Sequence, residues 1–166
     1  YNYSWWEEMV PFGWYDALRQ VKEGLKIPIS TGESEGYIST FRSLIAHDAC
    51  HIVQPDQLYF GGLIRSMKVA RMAATLGKTI CPHITQYGLG YLYMLHFVSA
   101  CENPFKYQEF DTFSTRDANG NQIPIRYTSG DPIVSYDGVL KVPTGPGLGI
   151  EIDPAYVRTH RVVNSW

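Results

Sequence analysis

No run of lysine or arginine in this sequence is long enough to follow a phosphate backbone, and the formal net charge is only −2. A polybasic nucleic-acid binder and an acidic disordered tail are both excluded on that ground. No apolar stretch reaches transmembrane length. The most apolar helix candidate, residues 87–101, is interrupted by glycines and His96, so it is expected to be buried in protein rather than in lipid. The opening YNYSWWEE has neither the charged nor the apolar region of a signal peptide. A cytoplasmic location without a membrane partner is therefore expected. Cysteine is scarce: Cys50, Cys81 and Cys101 are odd in number and widely spaced, and CPH has no second cysteine at metal-finger spacing. A disulfide framework and a zinc finger are both excluded, and buried free thiols in a reducing compartment are expected. The glycines of TGPGLGIEID do not follow the dinucleotide fingerprint and are not framed by a strand, turn and helix.

What the chain has in quantity is aromatic side chains, 14% of its 166 residues, with twelve tyrosines and four tryptophans. That length suffices for one domain with a real core. Short apolar runs alternate with helical patterns. YNYSWW, IPIS, CHIVQPD, TICPH and KYQEFD read as strands. Between them, 14–26, 37–49, 62–77 and 87–100 read as helices, with Trp14, Leu18, Val21 and Leu25 at helical spacing in the first, and Phe41, Leu44 and Ile45 on one face of the second. Strand and helix in alternation predict parallel pairing with right-handed crossovers. After Asp111 the texture changes. STRDANGNQIP is a polar loop, DPIVSYDGVLKVP reads as two short strands around a Tyr-Asp-Gly turn, and Asp153 with Pro154 signals a helix start.

An ionisable group stands at the carboxyl end of each of the first five strands: Glu7, Glu33, Asp56, His83 and Glu109. The steps between them are 26, 23, 27 and 26 residues. Each is close to one strand–helix unit of a parallel barrel, roughly 30 residues, and in such barrels the strand ends face one mouth where catalytic groups collect. Taken singly, an acid after a strand is as readily a helix cap or turn residue, and a lone histidine is more often structural. His47, His51, His96 and His160 fall in helical or off-register positions and read as structural. The shared register sets the five apart. Their chemistry is also coherent. Glu7 and Glu33 offer two hard oxygen ligands suited to Mg²⁺, and the scarcity of thiolates and clustered histidines argues against zinc or copper. Asp56 can orient His83 as an acid/base pair. A protonated Glu109 can donate a hydrogen bond to a developing oxyanion. Glu8 follows Glu7 and, by strand alternation, is expected to point away from it.

The segments WWEEMVP, STGES, VQPDQLYFGG, CPHI, YQEFD and GPGLGIEID together resemble the C-terminal part of the enolase superfamily, mandelate racemase subgroup, over nearly the whole chain. The resemblance implies an α/β fold: the C-terminal part of a modified TIM-type (β/α)7β barrel, about strands 4 to 8, over residues 1–111. Residues 112–166 would form a segment returning to a capping domain. It implies a Mg²⁺ site that stabilises an enediolate formed by removing a proton next to a carboxylate. Glu7 and Glu33 then match metal ligands on the fourth and fifth strands, Asp56 and His83 the dyad on the sixth and seventh, and Glu109 the glutamate supporting the enolate oxygen on the eighth. The third metal ligand and the basic residue of the second strand have no counterpart in this chain, and EEMVP stands where EEP is commoner. The chain is thus expected to be a C-terminal portion of a larger polypeptide or one piece of a split one, with the N-terminal portion as partner and assembly into a homo-oligomer.

Two outcomes share these residues, racemisation of a 2-hydroxy acid and dehydration of a sugar acid. Family prevalence and the His–Asp dyad favour a Mg²⁺-dependent dehydratase (EC 4.2.1-type) acting on an aldonate or aldarate to give a 2-keto-3-deoxy acid. Gln54, Gln57, Tyr59, Gln86 and Tyr87 near the mouth suit a polyhydroxylated substrate, unless they merely pack. A non-catalytic remnant, carrying two of three expected ligands, is the rival reading. A carbohydrate-binding module would use the aromatics but leaves the even spacing of the ionisable groups unexplained.

Overall fold

The computed structural model describes residues 1–84, 88–110, 119, 135–136 and 138–159. Four short strands form a parallel sheet in sequence order: β1 (Trp6–Glu7), β2 (Ile29–Thr31), β3 (Ile52–Val53) and β4 (Thr79–Ile80). Glu7 pairs with Ser30, Ser30 with Ile52, and Val53 with Ile80. Each crossover carries a helix: α1 (Tyr15–Gly24), α2 (Ile38–Ala46), and the pair α3 (Gln57–Phe60) and α4 (Leu63–Ala74). Strands joined this way leave both faces of the sheet without contact to water, so Ile29, Ile52, Val53 and Ile80 are all buried.

The main core lies between the helices and the outer face of the strands. Leu18 of α1, Phe41, Leu44 and Ile45 of α2, and Val69, Ala70 and Ala73 of α4 pack there on Ile29, Val53 and Ile80. In α1 only Leu18 is buried. Trp14 is 62% exposed and Leu25 lies at the surface, contrary to the periodicity. The helix occupies Tyr15–Gly24, so both residues sit on its caps, outside the repeating geometry that would turn them inward. A second cluster gathers on α5 (Leu89–Ala100), where Tyr91, Leu92, Met94 and Leu95 meet Phe110, Leu140, Val142, Leu148 and Ile150. The expected hairpin forms from β5 (Ser135–Tyr136) and β6 (Val139–Leu140). Asp153 caps α6 (Pro154–Arg158) by accepting from the Ala155 N–H.

The fifth strand expected over 106–111 does not form among the described residues. Its segment meets the sheet at one bridge, Ile80 with Pro104. The reason is local. The Gln108 side-chain amide donates to the carbonyls of Ile80 (3.3 Å) and Phe105 (2.7 Å), taking up acceptors that a ladder would use and folding the chain back on itself. The residue at 111, His160 and most of the polar loop lie outside the described residues.

At the amino end of the strands Asp48 binds two lysines. Lys22 and the buried Lys78 both reach its Oδ1, and Lys78 also donates to the Cys50 carbonyl at 2.7 Å. Cys50, Cys81 and Cys101 are free, and burial pushes the Cys50 and Cys81 thiols up to about 12, which suppresses the reactive thiolate. Among the described residues no helix is long and apolar enough to cross a membrane.

Candidate active site

All five ionisable residues lie at the carboxyl end of the parallel sheet. Glu7 is the last residue of β1. Glu33 follows β2 after Gly32, whose φ of +127° is open only to glycine without strain. A Cβ at Gly32 would also stand 3.1 Å from the Phe41 ring and 3.3 Å from the Gln54 nitrogen. The chain can therefore turn hard against its neighbour and deliver Glu33 over the sheet.

Asp56 caps α3, its Oδ1 accepting from the Leu58 and Tyr59 N–H groups at 2.8 and 3.0 Å. Its second oxygen, Oδ2, lies 3.0 Å from His83 Nδ1. Capping and chemistry are thus not alternatives at this residue. The cap fixes one oxygen and aims the other. His83 Nε2 in turn lies 3.3 Å from Glu33 Oε2, so the imidazole spans two carboxylates. Glu109 accepts from the Ile84 N–H at Oε2 (2.9 Å) and from the Gln54 amide at Oε1 (3.2 Å), and its main-chain carbonyl accepts from the Tyr91 hydroxyl at 2.8 Å.

The electrostatics follow from this packing. The hydrogen bond to Asp56 raises His83 to about 9; burial opposes the shift, and the charges of Glu109, Glu33 and Asp56 reinforce it. Burial works to raise Asp56, but the bond to His83 and the two backbone N–H groups outweigh it, leaving the carboxyl below its ordinary range. Burial is the main cause that lifts Glu33; Glu8 and Glu7 add to it and His83 opposes it. Glu109 is raised to about 7, chiefly by burial, against the Ile84 N–H and with repulsion from Glu7 and Glu33. One imidazole and four carboxyl groups, Glu7, Glu33, Asp56 and Glu109, thus act on one another at this end of the sheet.

Glu8 departs from expectation. Strand alternation stops at Glu7, and Glu8 takes a left-handed turn (φ 48°). Its Oε1 accepts from the Thr31 hydroxyl at 3.0 Å, and its charge acts on Glu33, so it borders the site rather than facing away. Of the polar residues assigned to substrate, Gln54 and Gln57 are buried and Tyr59 is exposed, while Gln86 and Tyr87 lie outside the described residues. The Gln54 amide is committed to Glu109. The sequence signals only its side: Gln54 stands two residues before Asp56, on the same side of an extended chain, while its partner Glu109 is not legible from spacing.

Among the described residues no three histidine, cysteine, aspartate or glutamate side chains are grouped to hold a metal ion. Glu7 and Glu33 nonetheless lie in contact, and Glu33 is raised in part by that proximity. Two crowded carboxylates fit a hard divalent cation, and Mg²⁺ takes one or two such groups and fills its remaining positions with water and substrate.

Comparison with known proteins follows the same lines. The family model described as enolase C-terminal domain-like matches residues 1–156. The D-galactarolactone cycloisomerase of Agrobacterium fabrum is 32% identical over 92% of this chain and 40% of its own length. The arabinonate dehydratase of Saccharolobus solfataricus is 27% identical over 88% of this chain and 37% of its own. A solved mandelate racemase/muconate lactonizing enzyme-like protein from Roseovarius sp. TM1035 superposes with a TM-score of 0.75 at 28% identity, over 94% of this chain and 37% of that one. The chain therefore spans about two-fifths of the length of the curated relatives it matches.

Proposed function

Since this chain belongs to the enolase C-terminal domain-like family, with its TIM-barrel-type α/β fold, we propose that it supplies one side of the active site of a sugar-acid dehydratase. The observation that supports this most is the convergence of Glu7, Glu33, Asp56, His83 and Glu109 at one end of the sheet, with His83 3.0 Å from Asp56. Two curated relatives named for a sugar-acid dehydratase and a galactarolactone cycloisomerase support the substrate class. Residues 1–111 would be the barrel portion and 112–166 the return segment. The remaining strands, the third metal ligand and the second basic group would come from an N-terminal portion, in a homo-oligomer.

Glu7 and Glu33 would hold Mg²⁺, which when bound supplies positive charge next to the substrate carboxylate. The side chains of this chain do the rest. The proton α to the carboxylate is taken by the basic group of the N-terminal portion, and an enediolate results. Protonated Glu109 donates to its developing oxygen. His83, held by Asp56, gives its proton to the β-hydroxyl as the C–O bond breaks, so one water leaves and the enol product becomes the 2-keto-3-deoxy acid.

The test is turnover by the intact polypeptide of a panel of aldonates and aldarates with Mg²⁺, read as 2-keto acid formed. One or more should be dehydrated, and His83→Asn should lower kcat by roughly 100-fold or more. No turnover across the panel, or full activity in the His83 variant, would reject the reading.

A further inference from the structure

Glu109 reaches the site on a segment that forms no ladder among the described residues, where its strand-like contact is the bridge at Pro104. Glu7 stands on a hydrogen-bonded strand, and Glu33, Asp56 and His83 each follow closely on the end of one. Glu109 is instead placed by three bonds: the Tyr91 hydroxyl to its carbonyl, the Ile84 N–H to Oε2, and the Gln54 amide to Oε1. Only the last is made by a side chain to the Oε1 atom. We propose that Gln54 is the positioning residue of Glu109, holding its carboxyl in the plane from which it serves the developing oxyanion; this rests on the function proposed above.

The burial of Gln54 supports the assignment. The side chain is fully buried, and its carbonyl oxygen Oε1 has no hydrogen-bond partner among the described residues. A buried carbonyl that has left water without a donor weakens the fold. An apolar side chain of the same length would avoid that loss, yet would also remove the donor to Glu109. The arrangement also conserves proton positions. Each carboxyl oxygen can accept twice. The Ile84 and Gln54 donors use one position on each oxygen, so a second position on each remains for the proton that Glu109 delivers.

Gln54→Met keeps length and volume but lacks the donor. In the intact polypeptide labelled with ¹³Cδ-glutamate, the Glu109 resonance, identified by its loss in Glu109→Gln, should titrate above its native midpoint. The carboxylate form loses a donor in this variant. The other groups facing Glu109 are Glu7 from β1, Glu33 after β2, and Cys81, His83 and the Ile84 N–H after β4; Tyr91 of α5 holds its carbonyl. The substitution leaves all of them in place. The melting temperature should stay or rise, which separates positioning from a merely structural role. On a sugar acid that is turned over, Gln54→Met should lower kcat about 10- to 100-fold with little change in KM. Added to Glu109→Gln it should lower kcat no further. An unmoved Glu109 midpoint, or additive losses in the double variant, overturns the proposal. If no sugar acid is turned over, the dehydratase reading fails while the titration still decides whether Gln54 holds Glu109.

Discussion

Asp56 does two things that compete in many proteins. Its first oxygen closes the amino end of α3 and its second holds His83. The cap therefore gives the imidazole a fixed partner rather than a mobile one, and it does so with backbone donors that no side-chain rearrangement can remove. The consequence can be measured. A histidine raised to about 9 contributes stability that is fully present below its ordinary value near 6.5 and is lost as pH rises through about 9. Replacing Asp56 by Asn removes the charge-assisted bond, so the His83 midpoint should fall from about 9 toward 6.5, followed by its ring ¹⁵N or ¹H resonances. A midpoint unchanged in Asp56→Asn would mean that Glu109 and Glu33 set the His83 charge without it. At this scale the sequence was informative about which residues meet, because strand ends in a parallel sheet face one way. It was silent on the contacts that depend on turns. The left-handed bend at Glu8 and the reach of Gln54 to Glu109, 55 residues away, follow from local backbone geometry and long-range packing that spacing alone does not encode.

Among the elements, the four strands and their helices were legible, since each has an apolar run of the right period and a glycine or polar break after it. The fifth was not. KYQEFD has the alternation of a strand, but Gln108 spends its amide on the carbonyls of Ile80 and Phe105. Propensity says nothing of such a side-chain competitor. Nor did the pattern announce α3, a single turn that exists because Asp56 caps it and Gly61, at φ 103°, ends it. At the opposite end of the strands the pinning is electrostatic. Hydrogen bonds from Lys22 and Lys78 depress Asp48 to about 2, and Lys78 is 4% exposed. A depressed carboxyl contributes stability that is present above its ordinary value near 3.8 and is lost as pH falls through about 2. Asp48→Asn should therefore lower stability at pH 7 by about 1–2 kcal/mol, since the Asp48 side chain is largely exposed while Lys78 keeps the Cys50 carbonyl. The gap to the native chain in thermal melts should narrow between pH 4 and pH 2. A constant gap across that range would show that the lysines, and not the Asp48 charge, hold this end together.

For the whole molecule the sheet is the decisive object. A parallel barrel abolishes exposed strand edges only by closing, and the order β1-β2-β3-β4 places β1 at one edge, where no described strand pairs with its outer side. At the other edge β4 has one bridge. The surface near β1 carries large side chains that a folded monomer usually covers: Trp6 is 41% exposed, Phe12 56% and Trp14 62%, with Tyr1 and Tyr3 beside them. The ring of Tyr3 meets those of Tyr1 and Trp6, and contiguous apolar surface of this kind marks an interface. Trp5 meets the rings of Phe105 and Tyr107, a contact between the first strand region and the segment before Glu109 that brings the two ends of the sheet together without backbone pairing among the described residues. The sheet should therefore require additional strands, from an N-terminal portion or from an assembled partner chain, to become stable. Produced as the 166 residues alone, the chain should sediment as heterogeneous aggregates and bind a hydrophobic dye without a cooperative melt. Co-production with a further portion that supplies the missing strands should yield a defined species with one transition. A monodisperse monomer of 18.8 kDa with a sharp melt would mean that the Trp5–Phe105–Tyr107 contact is enough to hold the open sheet.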